Sequence, residues 1–286
     1  SLVRERSLHH RFPAVEFLAM EPNSTVEDTF LAAQLMRAAG VAAIVVLGGD
    51  GTHRAVVREC GDVPIAGLST GTNNAFPQLR EPTITGMAVG LFASGRLAAA
   101  DALTTNKLLE ISIESALNGA APRDGQPERR RDIALVDAVI STDRTIGARA
   151  LWKTDNLRAL YVTFADPEAI GMSAIAGLLH PVGRQDPSGV AVEICEQPSR
   201  RRCVVQAPIA PGLVRPVGIA GWQPMAPGQV FHVEFDAGVV ALDGERELEF
   251  DRGDKVSIKL REGAFHTVDV ARCMRLAARD GLFRIS

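Results

Sequence analysis

Ile44-Val45-Val46-Leu47-Gly48-Gly49-Asp50-Gly51-Thr52 is an unbroken apolar run that ends in three glycines, one carboxylate and one hydroxyl. A β-branched run without alternation suits a strand buried on both faces, as in a parallel sheet flanked by helices. Ligands of such sheets collect beyond the carboxyl ends of the strands, where glycines leave backbone N–H groups open to phosphate oxygens. Downstream, His53 to Cys60 reads as a helix and Val63 to Leu68 as a second strand, which delivers the loop Ser69-Thr70-Gly71-Thr72-Asn73-Asn74-Ala75-Phe76-Pro77. Two neighbouring parallel strands would thus each end in a Gly/Thr-rich loop. Upstream, Ala14 to Met20 reads as a strand. Ser24 or Thr25 is placed to cap a helix whose apolar positions Phe30, Leu31, Leu35 and Met36 recur at helical spacing. A right-handed crossover would lay Val41 to Leu47 parallel to that first strand. Thr83 to Arg96 continues as a helix.

Beyond about Leu108 the texture changes to short β-type runs: 108–113, 133–140, 159–164, 190–194, 203–207, 230–235, 239–242 and 255–260. Turn signals such as Asn118-Gly119, Asp124-Gly125 and Asp243-Gly244 separate them. Thr267 to Leu282 turns helical again. The expected architecture is α/β: a Rossmann-like N-terminal parallel sheet with helices over 1–103, a β-rich, sandwich-like region over 104–265, and a return segment over 266–286 whose helix packs back on the first part.

The chain has 286 residues, 46% hydrophobic and 23% charged, with a formal charge of −3. That balance argues against a nucleic-acid partner, and one Tyr with two Trp offers little for base stacking. No apolar run reaches membrane-spanning length, and no charged-then-apolar leader is visible, so a cytoplasmic protein is expected. Cys60, Cys195, Cys203 and Cys273 lack metal-binding spacing and read as reduced thiols. The triplets 129–131 and 200–202, all arginine, read as solvated hairpin tips, with an anion contact as the alternative.

Transfer of a phosphoryl group demands that a polyphosphate be held, its charge neutralised and an acceptor hydroxyl brought in line. Gly48, Gly49 and Gly51 suit the first demand. Asp50 suits either the acceptor proton or a magnesium ion bridging phosphates, and Thr52 either a helix cap or a phosphate contact. The competing reading makes Asp50 the anchor of its own loop's N–H groups. His53 is either a phosphate neighbour or an exposed helix residue, and Lys107 either a cation in the cleft or a solvated strand end. Asp155, Asn156 and Asp166 read as loop polars. Trp152 and Trp222 read as core or interface residues.

Gly48-Gly49-Asp50-Gly51-Thr52 resembles the signature shared by NAD kinases and the diacylglycerol and sphingosine kinases. Gly71, Thr72, Asn74 and Phe76 fall on the lipid-kinase pattern G-T-G-N-D-F. Asp243-Gly244-Glu245 resembles that branch's D-G-E, although a hairpin turn would read the same. Over nearly its whole length the chain looks most like the acetoin-catabolism protein X group of NAD-kinase-like proteins. Ile170-Gly171-Met172-Ser173-Ala174-Ile175-Ala176-Gly177 and His180-Pro181 contribute to this likeness. The resemblance implies ATP-dependent, Mg²⁺-assisted phosphorylation of a hydroxyl on NAD or a related small acceptor, hence NADP biosynthesis, in a homo-oligomer. By it Asp50 is catalytic, and Gly48, Gly49, Gly51, Thr52, Gly71, Thr72 and Asn74 bind nucleotide. Asp137, Asp243 and Glu245 face the acceptor. A kinase of lipids or small diols and a non-catalytic nucleotide-binding regulator are the alternatives. Three departures from NAD kinases stand out: no Tyr precedes Ser173-Ala174, the dinucleotide-contacting N-E pair falls at Val136-Asp137, and the usual first strand with its N-P-x-A/S-G loop is not found.

Overall fold

The computed structural model describes residues 15–71, 74–115, 129–142 and 154–284. The N-terminal part runs α1 (Val26–Ala38), β1 (Ile44–Gly48), α2 (Asp50–Glu59), β2 (Ile65–Ser69), α3 (Pro82–Ala93) and α4 (Ala99–Ala102). The β-rich part follows: β3 (Leu103–Glu114), β4 (Arg129–Ala134), β5 (Asp137–Ser141), β6 (Leu157–Val162), α5 (Ser173–Leu179), β7 (Gly189–Ile194), β8 (Cys203–Ala210) and β9 (Leu213–Met225). It closes with β10 (Val230–Val233), β11 (Gly238–Leu242), β12 (Glu245–Phe250), β13 (Lys255–Val268) and α6 (Val270–Arg279).

β1 and β2 pair in parallel, with Gly48 opposite Ser69, so the two Gly/Thr-rich loops do leave neighbouring strands at the same end. The sheet continues in the order β1-β2-β13-β3-β4. β13 joins the halves: it pairs antiparallel along β3 and meets β2 in parallel at Thr267 and Ile65. A second, antiparallel sheet runs β12-β11-β5-β6-β7-β9-β8. Side chains of β3 and β13, including Leu109, Ile111, Ile258 and Leu260, pack against Ile140, Val240 and Leu242 of the second sheet. That is a sandwich core of alternating inward residues. The opposite face of the second sheet buries Leu160, Val162 and Val190 with Ile175 of α5. α6 crosses back, and its Val270, Cys273 and Ala277 join Ala66, Ala88 and Leu91 in one cluster. The four cysteines are free thiols, with Cys60 and Cys273 buried.

Several local expectations change. Among the described residues β1 is the sheet's edge strand, and its residues alternate between buried and exposed, with Leu47 64% exposed. Residues 15–20 form no strand, and Phe17 is exposed. Thr25 holds the N-cap position of α1, but its side chain makes no capping hydrogen bond. Instead Asp28 reaches back from the first turn to accept the N–H groups of Asn23 and Ser24. The expected strand 133–140 is two strands, because the chain leaves the first sheet at Ala134 and enters the second at Asp137. Arg129, Arg130 and Arg131 lie inside β4 rather than at a hairpin tip. β13 runs on to Val268, so the last helix starts three residues later than its apolar pattern suggests. α5 is seven residues long and was not legible; Gly177 lets it approach so closely that a Cβ there would lie 2.3 Å from the Asp166 carbonyl oxygen.

Asp269 caps α6 by accepting the Arg272 N–H at 2.9 Å, and its second oxygen accepts from Thr104 at 3.3 Å. Asp269→Ala is expected to cost about 1 kcal/mol and to lower the melting midpoint by roughly 2 °C. An unchanged midpoint would refute the cap's role.

Candidate active site

The glycine loop turns from β1 into α2 with Gly49 at the N-cap. A side chain lies close against each glycine. A Cβ on Gly48 would lie 2.5 Å from the Thr52 side chain, one on Gly49 2.8 Å from Asn74 Oδ1, and one on Gly51 2.7 Å from the Glu245 carboxylate. Gly71 meets Asn74 Nδ2 in the same way, at 2.8 Å. Asn74 is thus wedged between the two loops, and it donates to Ser69 Oγ at 2.8 Å. Thr72 lies outside the described residues.

Asp50 locks the loops together. Its two carboxylate oxygens accept the backbone N–H groups of Ala75 (2.9 Å) and Phe76 (2.8 Å). The anchoring role weighed for Asp50 is therefore present, directed at the neighbouring loop. Burial pushes its carboxyl up, against those two donors and the charges of His53 and Arg184. The carbonyls of the same two residues are held from the other side: Arg184 donates to Phe76 O at 2.7 Å and to Ala75 O. Its guanidinium stacks 4.4 Å from the Phe164 ring centre and 5.7 Å from that of Phe76. Peptide 75–76 is thus clamped between a carboxylate of the N-terminal half and a guanidinium of the C-terminal half.

Lys107 supports that clamp from behind. Its ammonium is buried and donates to the carbonyls of Gly183 (3.1 Å), Asp186 and Ser188 (2.6 Å), fixing the loop that carries Arg184. Burial lowers its pKa to about 8. His53 is likewise buried, contrary to an exposed position: its ring Nδ1 lies 2.8 Å from Gly49 O, its ring packs 5.9 Å from Phe76, and burial lowers its pKa.

The other predicted carboxylates gather behind the glycine loop. Asp243, at φ +50°, and Gly244, at φ +82°, make the hairpin turn between β11 and β12. The Asp243 carboxylate turns inward and accepts the N–H groups of Leu135 (2.9 Å), Val136 (2.7 Å) and Asp137 (3.2 Å), where the chain crosses between sheets. Burial pushes it up to about 7 against those donors, and the Asp50 charge adds to the rise. Asp137 is buried beside it, raised well above the usual carboxylate range by burial and by the charges of Asp243 and Asp50, and its Oδ1 has no hydrogen-bond partner among the described residues. Glu245 is 58% exposed at its side chain and covers Gly51.

Arg54, from the middle of α2, joins this group. Its side chain lies 3.5 Å from Asp132, 3.7 Å from Asp243 and 3.3 Å from Glu245. Sequence reasoning missed Arg54 and Arg184. The first sits in a run, 53–57, that is buried at every position and so has no helical periodicity to read; the second follows His180-Pro181, a signal that was available. Among the described residues no group of three or more His, Cys, Asp or Glu is arranged to hold a metal. Magnesium usually keeps several waters and takes only one or two protein carboxylates besides substrate phosphates, which Asp50 alone can satisfy.

Residues 4–96 match the model of the ATP-NAD kinase N-terminal domain, and residues 107–263 that of the acetoin catabolism protein X C-terminal domain. The chain is 56% identical over 283 residues to acetoin catabolism protein X of Cupriavidus necator, covering 99% of this chain and 76% of that protein. Among solved structures it is similar to yeast NADH kinase complexed with NADH (14% identity, 86% of this chain, 67% of that one, TM-score 0.47). It is also similar to an NAD kinase from Archaeoglobus fulgidus in complex with ATP (14% identity, 83% and 82%, TM-score 0.35).

Two consequences can be measured. Because Asp137 and Asp243 titrate above their unfolded values, the folded state holds protons that the unfolded chain releases. Their contribution is complete below about pH 4; that of Asp243 is lost as pH rises through about 7, and that of Asp137 as pH rises through its own raised value. The melting midpoint should therefore fall between about pH 5 and pH 8, and Asp137→Asn should flatten that slope; equal slopes would refute it. Arg54→Met strands buried carboxylates and should cost about 3–5 kcal/mol in urea unfolding. A loss under about 1 kcal/mol, the level of an exposed pair, would remove Arg54 from the centre of the cluster.

Proposed function

The chain belongs to the acetoin catabolism protein X family, and on that footing we propose that it is an ATP-dependent, NAD-kinase-like phosphotransferase acting on a hydroxyl of NAD or a related small acceptor. The observation that carries this reading is the position of Asp50, at the junction of two interlocked Gly-rich loops that leave adjacent parallel strands. The match of residues 4–96 to an ATP-NAD kinase N-terminal domain supports it. The relative's name adds a setting in acetoin catabolism, where the product would be NADP if NAD is the acceptor.

In this reading the acceptor hydroxyl gives its proton to Asp50 while its oxygen bonds to the γ-phosphorus of ATP. The bond from that phosphorus to the β,γ-bridging oxygen breaks, and ADP leaves. A carboxylate raised by burial is a better proton acceptor near neutral pH. Gly48, Gly49, Gly51, Thr52, Gly71, Thr72 and Asn74 form the phosphate and nucleotide side; Glu245, exposed over Gly51, moves aside as phosphates enter. Mg²⁺ bound with ATP would supply charge neutralisation at the phosphates, with Asp50 as its protein neighbour. Asp137 offers its unpartnered Oδ1 to the acceptor, and Asp243 fixes the backbone from which Asp137 projects. Burial raises all three carboxyls, and their neighbours' charges add to the rise at Asp137 and Asp243.

The test is a screen by mass shift with Mg²⁺ and ATP over NAD, NADH and a panel of diols. NAD or NADH should gain one phosphoryl group; transfer to diols alone would favour the lipid and diol branch, and no transfer a nucleotide-binding regulator. Asp50→Asn should lower turnover by at least about 100-fold with ATP affinity within about threefold. Full turnover in that variant would overturn the assignment of Asp50.

A further inference from the structure

We propose that the outer face of the first sheet carries a second site, which binds a small molecule bearing two or more anionic groups. A cavity of about 490 Å³ opens there between the C-terminal end of α2 and strands β4, β3, β13 and β10. Its volume is that of a small-molecule pocket. The strand register explains its shape. Ser257, Ser112 and Arg131 stand directly opposite one another on β13, β3 and β4, and the next rung on the same face is Lys259, Glu110 and Ile133. Two serines at the centre leave a hollow floored by hydroxyls, where larger side chains would have filled the sheet face.

The charge around the hollow is unbalanced. Arg58, Arg129, Arg131 and Lys259 line it against the two carboxylates Glu110 and Asp132. Three of the cations are engaged: Lys259 lies 2.6 Å from Glu110, Arg129 3.4 Å from Glu114, and Arg58 3.4 Å from Asp132. Arg131 is exposed on the same rung as the serines and shows no ion pair or hydrogen bond among the described residues. A guanidinium facing a hollow beside two hydroxyls and an ammonium is a fork-shaped donor set for carboxylate or phosphate oxygens. The site lies apart from the glycine loop, at the other end of α2, yet it shares one group with it: Asp132 meets both Arg58 of the hollow and Arg54 of the buried cluster. The inference stands independently of the kinase reading, since it uses none of the residues assigned to phosphoryl transfer.

Titration calorimetry of the whole chain with citrate and with inorganic pyrophosphate tests it, the two probes separating a carboxylate source from a phosphate source of the same charge. At least one should bind saturably, one per chain. That affinity should fall about tenfold or more in Arg131→Gln and in Lys259→Gln, and further with added salt. Both variants change solvent-facing positions and should keep the wild-type melting curve; Asp50→Asn should bind the probe as the wild type does. No saturable binding by about 10 mM, equal affinity in the Arg131 variant, or loss of binding in Asp50→Asn would overturn the site. So would a change in sedimentation of Arg131→Gln without probe binding, which would make this face a contact between copies.

Discussion

The constraint on which this structure turns is the burial of Arg54 among carboxylates. A guanidinium inside a protein is tolerable only when its partners are held as firmly as itself. Arg54 is placed by α2, Asp132 by β4, and Asp243 by the turn after β11. These elements come from distant parts of the chain, and the ion cluster makes their relative placement a single decision. Asp243 extends that decision into backbone, since its oxygens take the N–H groups of residues 135–137 just where the chain passes from one sheet to the other. Those N–H groups have no ladder partners at the crossing, so the carboxylate supplies what secondary structure cannot.

A second charged contact repeats the principle at the loops. Residues 75–76 present their N–H groups to Asp50 and their carbonyls to Arg184, so one short peptide is read by both halves of the molecule. Lys107 then holds the Arg184 loop by its carbonyls. Shape at this site therefore depends on three buried or half-buried charges, each satisfied largely by backbone. Such contacts hold position without demanding particular side chains nearby. That leaves the sequence around the loops free to vary in what it offers a ligand.

The parts of this arrangement that were legible in the sequence are those set by short-range patterns. The run 44–47, its glycines, and the second run ending at Leu68 specify parallel strands with loops at one end; Gly67 and Gly48 leave room for the His53 ring and the Thr52 side chain. The turn at Asp243-Gly244 was readable as a hairpin and as a functional motif, and it is the turn while also lying against the glycine loop. What was not legible depends on partners far away in the chain. Whether Ala14 to Met20 pairs, whether β1 is central or at an edge, and whether Lys107 is solvated or clasped are settled by long-range packing. Arg54 and His53 lie in a run, 53–57, that is buried at every position, so amphipathic periodicity is no guide there. The arginines of β4 looked like a loop because charge runs usually are solvated; here Arg129 and Arg131 stand on the polar face of the sheet, while Arg130, opposite Ile113 on the other face, pairs with Asp254.

β13 has a further consequence, for the order in which the molecule is built. Among the described residues the parallel pair β1–β2 has its next neighbour at Thr267, about 200 residues after Ile65, and everything between must be synthesised first. A two-stranded ribbon is marginal in water, and contacts of such sequence separation are slow to form. While it emerges from the ribosome, the half that bears the glycine loop is therefore a sheet with one side missing. It completes only when the strand that will also close the sandwich has been made, so both halves of the cleft become native in the same late event.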